Sequence, residues 1–367
     1  MKKPKLDVAS IQILKNRAIK FEKRRLDHKR WKKEKNKKEN GFNVYELKRL
    51  RRLRQKYWDY QKVIAPKNFS FVNNPSEVVR FIKDLEYHYN NRNKVYVIMK
   101  NVEILDYGAI VVLLSIMVKF KASGIVFNGD FPLDKKAKLL LKKSGFFENL
   151  FKDFKESERY NISTNLEDGI HTHAWKDVDS VLSSEIIAKS TKVIWGEERR
   201  CQGVQRALIE LMQNTNNHAE IGRTGEKHWW LSVNPIKEDK KVCFSFVDFG
   251  VGVFTNLESK NENSKFYKWA EKLSQLFRFN NNADVLKLIL DGVLHKTVTE
   301  KHYRGKGLPG IAEAMRRNQL SNLHLITNDV YCNASKNEYR TMKDSFSGTF
   351  IYWEISEKNE SCKQNTI

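Results

Sequence analysis

Three side chains at four-residue spacing carry the first chemistry in this sequence: Glu210, Asn214 and His218, in the stretch ELMQNTNNH. A helical run over residues 198–219 puts them on one face, because residues four apart lie one turn above each other. Val204, Leu208, Met212 and Thr215 fall roughly on the other face. A carboxylate one turn from a carboxamide can divide the work of hydrolysis. The carboxylate takes a proton from water, and the amide oxygen holds Mg²⁺, a hard cation that prefers oxygen ligands. A wet helix face shows the same spacing, so the pattern needs support from elsewhere in the chain.

That support comes later in the sequence. A hairpin-like pair of strands is expected at residues 228–234 and 241–247, both rich in aromatic and β-branched residues. The second ends in DFGVGV, where Asp248 can accept a hydrogen bond from an exocyclic amine. Gly250 and Gly252 would let the backbone pass close to a flat base, although a tight turn explains them equally. About fifty residues on, YRGKGLPGIAEAMRRN places Gly305, Gly307 and Gly310 ahead of a helix-prone stretch. Glycines before a helix N-terminus offer bare N–H groups and a positive dipole end to phosphates. Arg304 and Lys306 add charge; an ordinary loop with Pro309 in the first turn is the alternative. Residues 347–355, SGTFIYWEI, alternate like a strand and open on Gly348 and Thr349, small enough to reach a base or its bridging water.

The elements that must hold these groups fit comfortably in the chain. Its 367 residues suit two or three domains, and 40% hydrophobic content with 8 Trp and 21 Phe supplies real cores. The net charge of +23 is concentrated: residues 1–56 hold 22 Lys/Arg against 6 Asp/Glu, which leaves +7 for the rest. Cys201, Cys243, Cys332 and Cys362 show no paired spacing, which argues against a zinc cluster or a disulfide framework and fits a reducing cytoplasm. MKKPKLDVAS has no apolar region behind its positive start, so no signal peptide is expected. The longest apolar run, residues 109–118 with Ser115 inside it, is about half of what a membrane span needs. A soluble, cytoplasmic protein with no transmembrane segment is expected.

Residues 1–65 read as a basic helical segment. Ile11, Leu14, Ala18 and Phe21 form a weak amphipathic pattern, KRWKKEKNKKEN follows, and Gly41 breaks the run. A second basic helix carries Leu47, Leu50, Leu53 and Tyr57 on one side with KRLRRLRQK around them. Lys and Arg at this density attract phosphate backbones or, less readily here, anionic lipid. An acidic protein partner or a solvated tail fits the same charge. No base-reading motif is present, so nucleic-acid contact through residues 1–56 would be independent of base sequence.

Residues 66–155 read as a small α/β unit with strands at 69–72, 95–99 and 124–128 and helices at 75–89, 109–121 and 135–143. Asp106, Tyr107 and Gly108 form a turn before the middle helix. This order, and VYVIMKNVEILDYGAIVVLLSIM in particular, resembles the STAS domain of anti-sigma-factor antagonists. In that family a phosphorylatable Ser or Thr commonly follows the turn's Asp. Tyr107 and Gly108 stand there in this chain, which leaves a docking or scaffold role. Residues 156–180 are polar and include His171 and His173; with no third ligand at a telling spacing, a linker or interdomain strand is expected rather than a metal site.

From about residue 180 to 356 the chain resembles the GHKL ATPases, the group that includes gyrase-type topoisomerases, histidine kinases and anti-sigma serine kinases. ELMQNTNNH is similar to their N box, DFGVGV to the first glycine box, RGKGLPGI to the second, and SGT to the Thr-bearing strand near the adenine. The resemblance implies a Bergerat-type α/β sandwich with a mixed sheet, binding ATP and Mg²⁺. It makes Asn214 the Mg²⁺ ligand, Glu210 the candidate general base and Asp248 the partner of the adenine amino group. Gly250 and Gly252 would line the base pocket. Arg304, Gly305, Lys306, Gly307, Leu308 and Gly310 would lie against the phosphates, and Thr349 would support Asp248. Residues 254–304, with helix-prone segments at 266–277 and 283–294, would be the lid. His218 suits packing or a hydrogen bond near the site better than ligation.

The expected class is therefore α/β in two domains: a head at 1–65, a STAS-like domain at 66–155, a linker at 156–179, an ATP-binding domain at 180–356 and a flexible tail at 357–367. The favoured function is a nucleotide-gated switch, in which slow ATP hydrolysis and lid closure change what the head or the STAS-like domain binds. Many GHKL relatives dimerise when ATP closes the lid, so an ATP-dependent homodimer is part of that expectation. A histidine kinase needs an acceptor on a dimerising helix pair; His28 and His88 lie on helix-prone stretches but in no acceptor motif. A serine kinase of the anti-sigma type and an ATP-bound scaffold without turnover are the alternatives.

Overall fold

The structure, a computed structural model, describes residues 8–39, 59–144, 146, 170–174, 178–218, 229–250, 252–254, 281–292, 307–359 and 362. Its contacts divide the chain into two units, Met1–Tyr60 and Gln61–Ile367. The first unit contains α1, Val8–Glu39, a single helix of 32 residues whose described side chains are all exposed. The second basic helix expected after Gly41 lies outside the described residues.

The second unit opens with β1 (Gln61–Ile64), β2 (Asn68–Phe69), α2 (Pro75–Asn90), β3 (Val95–Ile98), β4 (Ile104–Leu105), α3 (Tyr107–Ala122), β5 (Phe127–Gly129) and α4 (Lys135–Lys143). β1, β3 and β5 form one parallel sheet in that order, and β2 pairs with β4, also in parallel. Parallel neighbours need crossovers, which α2 and α3 supply. The sheet takes in β1, which precedes the expected boundary at residue 66. The strand expected at 69–72 pairs only at Asn68 and Phe69. α2 has Pro75 in its first turn and buries Val78, Phe81, Ile82 and Leu85. α3 is buried from Gly108 to Ile116, so it is apolar on every side rather than on one stripe. The expected turn at Asp106 is the start of this helix: the carboxylate accepts the Ala109 N–H at 2.6 Å and caps it.

The larger part follows as β6 (Ile170–Ala174), α5 (Ser180–Trp195), α6 (Gln202–His218), β7 (Trp229–Ile236), β8 (Lys241–Asp248), α7 (Asn282–Leu290), α8 (Gly307–Arg316), β9 (Ser321–Asn333) and β10 (Glu338–Ser356). Five strands form one sheet in the order β6-β7-β8-β10-β9. All four pairings are antiparallel, in place of the mixed sheet that was expected. For two of the four the reason is local: β7 and β8, and β9 and β10, are joined by short turns, which permit only antiparallel pairing. β6 belongs to this sheet as an edge strand, so of the two expectations for this stretch, linker or strand, residues 170–174 form the strand. His171 stands opposite Ser232 and His173 opposite Trp230 in its register.

Both faces of this sheet are covered. On β8, Val242, Phe244 and Phe246 join the core beneath α5, α6, α7 and α8, while Val247 joins the core shared with α2 and α3. That second core runs without a break from Ile82, Ile110 and Leu114 to Trp230, Ile326 and Phe350. At Gly108 the fit is close enough that a Cβ would lie 2.6 Å from Phe350 Cζ. Phe71 stacks on the same ring with centroids 4.5 Å apart. The chain is α/β, and its three-stranded and five-stranded sheets are tied by one hydrophobic layer.

Two further findings correct the sequence reading. Cys201 and Cys362, 161 residues apart, form a disulfide, which no local spacing could announce. Residues 357–359 are also held rather than loose: Asn359 is buried, accepts the Ser356 N–H at 2.8 Å and reaches Asn318. Cys243 and Cys332 are free and buried.

Candidate functional site

The motif residues gather at one end of the five-stranded sheet, on the face beneath the helices. Asp248 ends β8 and stands in register with Thr349 on β10 and Trp229 on β7. Thr349 in turn stands opposite Thr327 on β9. Strand alternation puts this row on the same face as Phe246 and Ile351, which pack under the helices.

Asp248 is half-buried, and withdrawal from water pushes its carboxyl up to about 7. Three hydrogen bonds oppose that rise: the Gly250 N–H, 3.2 Å from Oδ1, the Thr349 N–H and the Thr215 hydroxyl. Thr215 was placed on the packed face of its helix by spacing. Its one hydroxyl hydrogen lies between two acceptors, Leu211 O at 3.1 Å and the Asp248 carboxylate, and it is this residue that links α6 to the end of β8.

One residue earlier on α6, the Asn214 carboxamide lies directly against Gly307, the first residue of α8. A methyl group at residue 307 would collide with its Nδ2. Leu308 is buried in the core under the helices, and Gly310 is half-buried in the same first turn. Glu210 lies one turn before Asn214. Its Oε1 accepts from Arg206 Nε at 2.9 Å, while Oε2 is buried and has no hydrogen-bond partner among the described residues. The side chain of Glu210 is 14% exposed, that of Arg206 58%.

Gly252 has φ of 77° and packs against the Asn328 carboxamide, which also accepts the Phe254 N–H at 3.0 Å. Thr327 Oγ1 accepts the Val253 N–H at 3.0 Å and donates to Gly348 O at 3.2 Å. Thr327 and Asn328 thus hold the chain that follows Asp248. Sequence reasoning missed both, because β9 carries no motif; only the register with Thr349 finds them. Gly348, at φ of 138°, presses on the Asp248 backbone, a place no side chain could take.

Arg304, Gly305 and Lys306, and most of the expected lid, lie outside the described residues. His218 ends α6. Among the described residues no group of three His, Cys, Asp or Glu side chains could hold a metal. Mg²⁺ does not need one, since it often keeps its waters and takes one or two protein ligands plus phosphates. The Asn214 amide oxygen is a ligand that fits such a complex, with Glu210 Oε2 one turn away and, among the described residues, without a hydrogen-bond partner. A separate apolar cavity of about 480 Å³ lies in the first sheet layer, lined by Val97, Leu113, Met117, Phe127 and Leu141 among others; none of the motif residues borders it.

No protein-family model matches this chain, and no curated protein matches it. Among the described residues no helix is long and apolar enough to cross a membrane.

Proposed function

We propose that this chain is a GHKL-type, Mg-ATP-binding protein that works as a nucleotide-gated switch. One convergence supports the reading most: Asn214 against Gly307, and Thr215 against Asp248, bring three separate motifs to one sheet end. On this reading Asp248 accepts a hydrogen from the adenine amine, with the Thr349 N–H and Gly250 N–H orienting its carboxylate. Asn214 offers its amide oxygen to Mg²⁺, which when bound screens the phosphate charge. The N–H groups of Gly307, Leu308 and Gly310 at the start of α8 would meet the phosphates, and Arg304, Gly305 and Lys306, just before them in sequence, would add charge and backbone donors.

Glu210 is the base. Arg206 holds Oε1, and Oε2 is left to take a proton from water. The water oxygen bonds to the terminal phosphorus, the bridging P–O bond breaks, and ADP and phosphate leave. The STAS-like layer serves as a resident partner. Thr349 belongs to the nucleotide row and Phe350, the next residue, packs on Gly108 from the opposite sheet face. Tyr107, where an acceptor Ser or Thr would stand, packs on that opposite face too. This favours a switch over a kinase acting on its own STAS-like unit.

The test uses the full chain, Mg²⁺ and ATP labelled at the γ-phosphate. Free labelled phosphate that disappears in Glu210→Gln supports the switch. Label retained on the protein supports a kinase, and binding without either supports a scaffold. Absence of any nucleotide binding removes the reading.

A further inference from the structure

The helix α1 has a composition that the nucleotide site does not explain. Its 32 residues hold 13 Lys/Arg and 4 Asp/Glu. One of those acids, Glu22, pairs with Arg25 at 3.8 Å. At 100° per residue, Arg17, Lys20, Lys23, Arg25, Lys29 and Arg30 are spread around the whole circumference rather than along one stripe. Ile19, Phe21 and Leu26 are 67%, 72% and 53% exposed. Ile19 and Leu26 share one side, and Phe21 stands on the opposite one.

We propose that α1 is a docking helix for duplex DNA, held through phosphates without base readout. This goes beyond the nucleotide reading and does not depend on it. Three partners compete, and geometry separates them. A helix lying on a membrane needs one broad apolar face, which α1 lacks. A helix docked on a protein needs an apolar centre to its contact, and the exposed apolar residues of α1 are split between two sides. A helix in a DNA major groove has phosphate walls on both flanks, so cations on every side are an advantage there. The sizes agree: a helix with side chains is about 10–12 Å across and the B-DNA major groove about 12 Å wide. Duplex RNA has a deep, narrow major groove that excludes a helix, so DNA is the partner to which the shape commits.

The test is fluorescence anisotropy of a labelled mixed-sequence DNA duplex of about 20 bp with the full chain, without ATP. Binding is expected at about 50 mM salt and should weaken on the order of 10³–10⁵-fold by about 200 mM, as counterions compete. The five-fold variant K23Q/R24Q/R25Q/K29Q/R30Q keeps good helix formers on an exposed helix, so the fold is retained. Its salt slope should be shallower by about 4 to 5. The proposal is overturned by no binding at low salt, or by an unchanged slope in the variant. It is equally overturned if duplex RNA of the same sequence, or phosphatidylserine vesicles, bind as tightly as DNA. Because ATP is left out, this proposal and the nucleotide reading can fail separately.

Discussion

Asn214 and Gly307 touch where α6 meets α8, so closely that residue 307 has no room for a methyl group. Gly307→Ala should therefore push the carboxamide aside and weaken nucleotide binding about ten-fold or more, roughly 1.4 kcal/mol. Global stability should change less, because Ala favours a helix over Gly by about 1 kcal/mol. Titration with a fluorescent ADP analogue reads the first effect and thermal melting the second. Asn214→Ala should abolish Mg-ATP binding altogether. Normal affinity in that variant would break the metal assignment.

Glu210 has one carboxylate oxygen held by Arg206 and one buried without a partner among the described residues. Glu210→Gln keeps the shape and removes the base. Phosphate release should fall by about 10²–10⁴-fold while ATP affinity stays close to that of the parent. A variant that still turns over at the parental rate would mean that Glu210 does no proton transfer.

Asp248 gives the chain a pH signature. Burial raises its carboxyl from 3.8 to about 7, so the folded state holds a proton that the unfolded state has released across that interval. The stability tied to this group is present below about pH 4 and is lost as pH rises through about 7. Asp248→Asn removes the loss, so its melting temperature should gain on the parent as pH rises from about 4 to about 7. His324, which burial pushes down to about 4, acts in the opposite sense. Its contribution is lost as pH falls from 6.5 through about 4, which is why the comparison is made at each pH against the parent. An adenine amine favours the ionised carboxylate, so nucleotide binding near pH 7 should release a proton. Calorimetry in buffers of different ionisation enthalpy detects it, and an uptake of protons would contradict the pairing.

Gly108 lies under the Phe350 ring with no space for a side chain. Gly108→Val should overpack that contact and cost about 1–3 kcal/mol, read as a lower denaturant midpoint. Nucleotide affinity should shift as well, because Phe350 is bonded to Thr349 in the site. Parental stability in this variant would mean that the first sheet layer does not pack on the second in solution.

The groups themselves were legible from the chain, because helix spacing and strand-end position are properties of local sequence. Glu210 and Asn214 at four-residue spacing lie on one described helix. Asp248 does end a strand, and Gly307 and Gly310 do lie in the first turn of a helix. Spacing puts Thr215 on the other face of the helix, where it is buried, but its hydroxyl finds Asp248 only after β8 has been laid beside α6. Thr327 and Asn328 left no trace in sequence, since their role depends on the register of β9 against β10. The same holds for the Cys201–Cys362 disulfide and for which sheet the strand at Ile170–Ala174 joins.

By itself, then, the chain determined the residue types, their helical and strand-end placement, and a basic head distinct from an apolar body. Those follow from periodicity and charge, which act over a few residues. Tertiary structure alone decided that the motifs meet, that the large sheet is antiparallel throughout, and that the first α/β layer covers its outer face. Such contacts join residues far apart in the chain, and they form only where two buried surfaces fit closely enough to exclude water.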